Sequence, residues 1–182
     1  MEHKTFRPQI LVAMPALQDG YFDKSVVLLC DYDEHGAMGF VINSPSTTTV
    51  SDLLRELGYP EQAKHGQTIL IGGPVQCELC WVVHSNDFKG SSTAALGESL
   101  CLSAAQEVLT GIVDGSPPRT YEMGVGYAGW AAGQLDQEIE LGAWWLCDLD
   151  PLEVLMRPAE QRWQLIMETL GLNNPYVTYL RA

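Results

Sequence analysis

Four groups of residues have the types and spacing that chemistry requires. Gly124-Val-Gly126-Tyr-Ala-Gly129 matches the pattern GxGxxG, and Asp148 lies 19 residues beyond its last glycine. Between a strand and a helix, such glycines let the backbone approach a pyrophosphate while the acid meets a ribose. Cys77-Glu-Leu-Cys80, with His84 four residues on, has the form of a thiol redox pair or half of a zinc site. His84 also precedes Ser91 and Ser92 by seven and eight residues, so a base and a hydroxyl are available for nucleophilic hydrolysis. Asp31-Tyr-Asp33-Glu-His35-Gly36 opens like a calcium-binding EF-hand loop.

Each group has a plainer explanation. The helix after Gly129 is short, Gly133 sits in its first turn, and Trp130 stands where tight helix–strand packing is wanted. A glycine-rich turn beside packed Tyr127 and Trp130 accounts for the same residues. Cys77 and Cys80 enter an apolar strand, where residues three apart face opposite sides and no helix dipole lowers a thiol pKa. The chain has no second CxxC to complete a zinc site, so no metal and no cofactor are expected. His84 lies in the run WVVHS and reads as a satisfied core residue. The EF-hand positions that need an oxygen ligand and a bidentate glutamate hold His35 and Ile42, which makes that segment a solvated hairpin tip. GxSxG and HExxH do not occur, and no catalytic residue is assigned.

Hydropathy patterning supplies the elements that must hold these residues. Apolar, β-branched runs predict strands at 9–15, 25–32, 37–43, 67–74, 79–85, 119–127 and 143–149. The linker 33–36 suits a hairpin, and Ser44-Pro-Ser46 is expected to break the sheet. Thr49 and Asp52 mark a helix start with Gly58 as its stop. Residues 86–100 read mostly as loop, and Ser103 with Gln106 reads as a capping box opening a helix to about Asp114. A short helix is expected over 131–141, another turn at Asp150-Pro151, and a last helix from Pro158 to Gly171. Strands and helices interleave without regular alternation, which favours an α+β fold. Asn43, Gly72, Gly73, Pro74, His84, Ser91, Ser92, Gly126, Tyr127, Gly129 and Trp130 all fall at strand ends or turns and are candidates for one ligand-binding cleft.

The whole chain narrows the functions available. With 182 residues it suits one domain, residues 1–182. It carries 10 Lys and Arg against 23 Asp and Glu, a formal charge of −13. Six cations face eleven acids up to residue 90, and four face twelve thereafter. A basic surface for duplex DNA is therefore not expected. Five cysteines, an odd number, and an N-terminus without an apolar signal segment point to a reducing cytoplasm. The apolar runs Ile10–Leu17 and Val26–Cys30 are far shorter than the roughly 18 residues of a membrane span.

The segments ILVAMPAL, FDKSVVLLC, GAMGFVIN, GGPV, WVVH and GYAGWAAGQL occur in this order. Together, over about residues 9–171, they resemble the AlgH/YqgE family of conserved bacterial proteins. The resemblance implies a single α+β domain with a bent, barrel-like mixed sheet flanked by short helices. It also implies a regulatory role and no established reaction or cofactor. Where that family usually has a basic residue after the Asn of VIN, this chain has Ser44. Where it usually has Arg-Gly, this chain has Leu79 and Cys80. An anion pocket built on those cations is not expected here.

The function expected from the sequence is thus a non-enzymatic cytosolic binding or regulatory protein. It would act on transcription indirectly, through a protein partner or small ligand. The alternative is a small-molecule hydrolase or thiol oxidoreductase using His84 and Ser92, or Cys77 and Cys80. A third reading is a nucleotide-binding module at Gly124–Gly129.

Overall fold

Strand β1 (Gln9–Ala13), buried from Ile10 onward, lies between β10 (Trp144–Cys147) and β2 (Val26–Asp33), antiparallel to both. The computed structural model describes residues 7–17, 20–60 and 66–172. Val26–Leu29 is buried throughout, the pattern of a strand covered on both faces. A two-residue turn at Glu34–His35 joins β2 to β3 (Gly36–Val41), and the His35 N–H donates to the Asp33 carboxylate at 2.7 Å. The EF-hand-like segment is therefore a hairpin tip.

β4 (Pro45–Thr49) pairs with β5 (Thr68–Ile71), so the sheet does not break at Ser44-Pro-Ser46 as the sequence suggested. Proline starts this strand, where its missing N–H costs no ladder bond. α1 (Val50–Glu56) follows Thr49, whose hydroxyl accepts from the Asp52 N–H while the Asp52 carboxylate accepts from the Thr49 N–H. β6 (Val75–Ser85), β7 (Ala94–Leu96) and β8 (Leu100–Ser103) come next; β7 and β8 occupy part of the predicted loop. α2 (Ala105–Val113) precedes the long strand β9 (Tyr121–Ala131), then α3 (Gln134–Glu140), β10, α4 (Pro151–Leu155) and α5 (Arg162–Thr169).

β9 is the pivot. Along one edge it pairs with β6. Along the other it meets β5 in parallel at Val125 and then β3 at Ala128–Ala131. The path β10-β1-β2-β3-β9-β6-β8-β7 gives a curled, barrel-like sheet that is antiparallel except at β5–β9. Period-two alternation splits the core between its faces. Ile10, Val12, Leu28 and Phe40 pack with Trp81 and with Val154, Ile166 and Met167 from α4 and α5. Leu11, Val27 and Leu29 pack on the other face with Trp130, Trp144 and Leu135 of α3. At the β6–β9 end, α1 and α2 bury Val50, Leu54, Val108 and Ile112 against Val82 and Met123.

One buried ion pair joins these layers. Arg162 is 1% exposed and donates to the Glu122 carboxylate and to the carbonyls of Ile42, Val154, Leu155 and Arg157. Gln67 Nε2 donates to the second Glu122 oxygen at 3.1 Å. Every buried side-chain polar atom among the described residues has a partner.

Candidate functional site

The glycines of the GxGxxG pattern lie inside β9, not in a strand-to-helix turn. This corrects the dinucleotide reading, because the space above Gly124 and Gly126 is filled. A Cβ on Gly124 would stand 2.2 Å from the Trp81 ring, and one on Gly126 would stand 2.4 Å from the Gly73 carbonyl. Gly126 also has φ +72°, which L-residues rarely adopt. Gly72 and Gly73 make the reciprocal approach from the β5–β6 turn: their Cβ atoms would meet the backbone of Gly126 and Tyr127 at 2.4 and 2.1 Å. The pattern records two backbone segments in contact. Gly129 is exposed and unconstrained.

Where these segments meet β8, a cleft of about 510 Å³ opens. Met38 and Phe40 from β3, Leu79, Cys80 and Trp81 from β6, Leu102 from β8 and Tyr127 from β9 form its walls. Phe40 and Trp81 stack with centroids 4.3 Å apart. Ser92, Ser103 and Ala104 border its rim. A mostly apolar cleft bordered by a few polar residues is a common form of small-ligand site.

The two hydroxyls are held by separate networks. Ser92 donates to Glu107 Oε2 at 2.6 Å and accepts from the Ala104 N–H at 2.9 Å. Ser91 donates to Glu107 Oε1. The Ser91 and Ser92 hydroxyls hold the Glu107 carboxyl below the ordinary glutamate range. Ser103 lies 2.8 Å from His84 Nε2 and 2.7 Å from Thr93 Oγ1. His84 is fully buried, with Nδ1 2.7 Å from the Ser85 carbonyl and its ring edge-on to Phe88.

A serine does reach His84, but it is Ser103, whose spacing to Gln106 predicts a helix cap. Ala104 is the N-cap residue of α2, without a side-chain cap bond. Val82 stands opposite Ser103 in the β6–β8 ladder, so His84 is its diagonal neighbour on the same face. The signal available in the sequence was the alternation in LCLS, which marks a strand running up to Ser103.

The candidate residues thus divide. Ser92 and Tyr127 line the cleft, His84 is joined to it through Ser103, and Gly72, Gly73 and Gly126 form a backbone contact outside its lining. Ser91 helps anchor the rim. Asn43 lies elsewhere: its side chain accepts from the Val26 N–H at 2.7 Å and donates to the Lys24 carbonyl at 2.8 Å. Trp130 packs on the other face, donating to Glu138 at 2.9 Å. Pro74 is exposed at the turn, and its carbonyl accepts from the Cys77 thiol at 3.5 Å. Ser44 lines a smaller cavity with Asn43, so Ser44 and Leu79 do not share a pocket.

The thiols offer little chemistry. Cys77 is exposed, whereas Cys80 is half-buried with its pKa raised by burial, which disfavours a thiolate. All five cysteines are free, and no group of three or more His, Cys, Asp or Glu side chains among the described residues is arranged to hold a metal. No helix among them is long and apolar enough to cross a membrane.

A curled α+β sheet with an apolar cleft where β3, β6, β8 and β9 converge defines the class. The chain belongs to the AlgH-like family (DUF179), whose profile matches residues 10–175. A UPF0301 protein of Saccharophagus degradans is 34% identical over 173 residues, 94% of this chain and 85% of that one. A UPF0301 protein of Thioalkalivibrio sulfidiphilus is 37% identical over 170 residues, 92% and 91% of the two chains. The solution structure of AlgH from Pseudomonas aeruginosa superposes with a TM-score of 0.76 at 34% identity, covering 100% of this chain and 97% of that one. A crystal structure of a Corynebacterium diphtheriae protein superposes at 0.72 with 26% identity, over 93% and 90%.

Proposed function

We propose that this is a cytosolic binding and regulatory protein that takes a small, uncharged, mostly apolar ligand in the β3–β6–β8–β9 cleft. The observation that carries the reading is the cleft itself: about 510 Å³ walled by Phe40, Trp81, Leu79, Leu102 and Tyr127, with Ser92 and Ser103 at the rim. Leu79 stands where the family resemblance places a cation, and no Lys or Arg among the described residues lines the cleft, so a neutral ligand fits better than an anion. Any effect on transcription then runs through the bound molecule or a protein partner. The charge of −13 supports that route over direct duplex binding.

The test is a thermal-shift titration with 1-octanol and with indole, set beside a Leu79→Asp variant. Leu79 is 45% exposed, so the change leaves the fold intact while placing a charge in the cleft wall. A ligand at 100 times its Kd raises stability by about 2.7 kcal/mol. The wild type should show a saturable rise in Tm that Leu79→Asp loses. No shift with either probe, or an equal shift in the variant, removes the cleft as the site. Tight, salt-sensitive binding to a duplex DNA fragment would overturn the indirect route.

A further inference from the structure

We infer that Ser103 is an acyl-accepting nucleophile, activated by His84, for an ester or thioester whose apolar acyl chain lies in the cleft. This rests on the cleft as the ligand site and goes beyond a binding role.

Two fixed ends orient every proton in the network. The Gly90 N–H can only donate, and Thr93 Oγ1 accepts it at 2.7 Å. The Ser85 carbonyl can only accept, so His84 Nδ1 carries the hydrogen between them. Nε2 of the neutral ring is then an acceptor, and the Ser103 hydroxyl donates to it at 2.8 Å. Thr93, already accepting from Gly90, turns its own hydrogen to Ser103 Oγ at 2.7 Å. The Ser103 proton is thus aimed at a base, while the Thr93 hydroxyl fixes the position of its oxygen. Burial and the edge contact with Phe88 fix the imidazole orientation, the role a third group plays in other Ser–His pairs.

Ser103 ends β8 and precedes α2, a helix of nine residues. The next backbone N–H, of Ala104, is held by Ser92 Oγ, and those of Ala105 and Gln106 come before the first intrahelical bond. N–H donors immediately after a nucleophile are the usual material of an oxyanion hole. Ser103 is 5% exposed, and the 86–93 loop, which supplies Ser92 and Thr93, covers it. Access from the cleft to the Ser103 hydroxyl requires the 86–93 loop to move, and that loop is tied to α2 through Ser91, Ser92 and Glu107.

The step balances without a cofactor. Ser103 Oγ bonds to the acyl carbon as its proton passes to His84 Nε2. The bond from that carbon to the leaving oxygen or sulfur breaks with its electron pair on the leaving atom, which takes the proton from His84. Water then adds to the acyl-serine, gives a proton to His84 and releases the acid, and Ser103 recovers its hydrogen.

The test is labelling of the intact protein with diisopropyl fluorophosphate and with an octyl fluorophosphonate, read by mass. The expected result is one phosphonyl or phosphoryl group, with loss of fluoride, mapping to Ser103. His84→Gln should slow labelling by roughly 10²–10⁴-fold, the usual contribution of a general base, and Ser103→Ala should abolish it. An unlabelled Ser103 in the wild type overturns the inference whatever the variants do. If 1-octanol still shifts the Tm in that case, the binding reading stands and only the nucleophile falls. Labelling by the small reagent without any 1-octanol shift keeps the nucleophile and removes the cleft as ligand site. Neither signal removes both.

Discussion

The Trp81 indole donates from Nε1 to the Gly126 carbonyl at 2.7 Å while its ring covers Gly124. The ring explains Gly124, and the Gly73 carbonyl with a positive φ explains Gly126. Gly124→Ala puts a methyl 2.2 Å from that ring, and Gly126→Ala combines a 2.4 Å approach to the Gly73 carbonyl with an unfavourable φ. Each should cost about 1–3 kcal/mol or more, the usual range for over-packing. Gly129→Ala, whose Cβ meets only the Tyr127 ring at 3.6 Å, should stay within about 0.5 kcal/mol. Urea unfolding of the three variants separates a packing motif from a phosphate cradle. Equal stability across them would contradict the packing account.

The Arg162–Glu122 pair predicts a larger loss. Glu122→Ala leaves a guanidinium buried beside four backbone carbonyls with no counter-charge. Breaking such a pair from one side costs about 3–5 kcal/mol. Arg162→Met should cost at least as much, because it also removes the donor from those carbonyls. Denaturant midpoints compare the two variants. A loss below about 1 kcal/mol for Glu122→Ala would show that water reaches the pair.

Local signals were legible where the local partner is the real one. Thr49 and Asp52 are three residues apart and cap α1 reciprocally, and Asp150 before Pro151 caps α4 through the Leu152 N–H. Ser103 and Gln106 have the same spacing, but the Ser103 hydroxyl is bound to His84 and Thr93, and the strand LCLS runs up to it. Tertiary bonding decided that case. The glycines failed as a motif for a similar reason: Gly124 is crowded by Trp81 and Gly126 by Gly73, both more than forty residues away. Of the site, Ser92 and Tyr127 were visible as polar or aromatic residues at turns. The walls from Phe40, Trp81 and Leu102 were not, because each reads as ordinary core until the sheet curls and brings three strands together.

Thiol reactivity should follow burial. Burial pushes the Cys30 and Cys147 thiols up to about 12. Cys77 is exposed, and its thiol donates to the Pro74 carbonyl. Because the thiolate is the nucleophile, iodoacetamide at pH 8 should modify Cys77 first and leave Cys30 and Cys147 unmodified until the protein unfolds. Mass mapping after short exposure checks the order. Early alkylation of Cys30 would mean that this end of β2 opens in the native state.

Glu107 ties the 86–93 loop to α2, and its ionisation should control that tie. The hydroxyls of Ser91 and Ser92 hold its folded pKa below the ordinary value of 4.5. A depressed carboxylate pKa means the contact contributes fully above the unfolded value and is lost as pH falls through the folded one. The Ser92 amide, which donates to both Glu107 oxygens, should therefore show an NMR titration with its midpoint below 4.5. Glu107→Gln should abolish that titration, since an amide side chain does not ionise in this range. At pH 8, where the wild-type latch is closed, Glu107→Ala should speed trypsin cleavage after Lys89 while the denaturation midpoint moves little. Unchanged cleavage would place the loop's hold elsewhere, in the Thr93–Ser103 contact, and Thr93→Val would then be the variant that frees it.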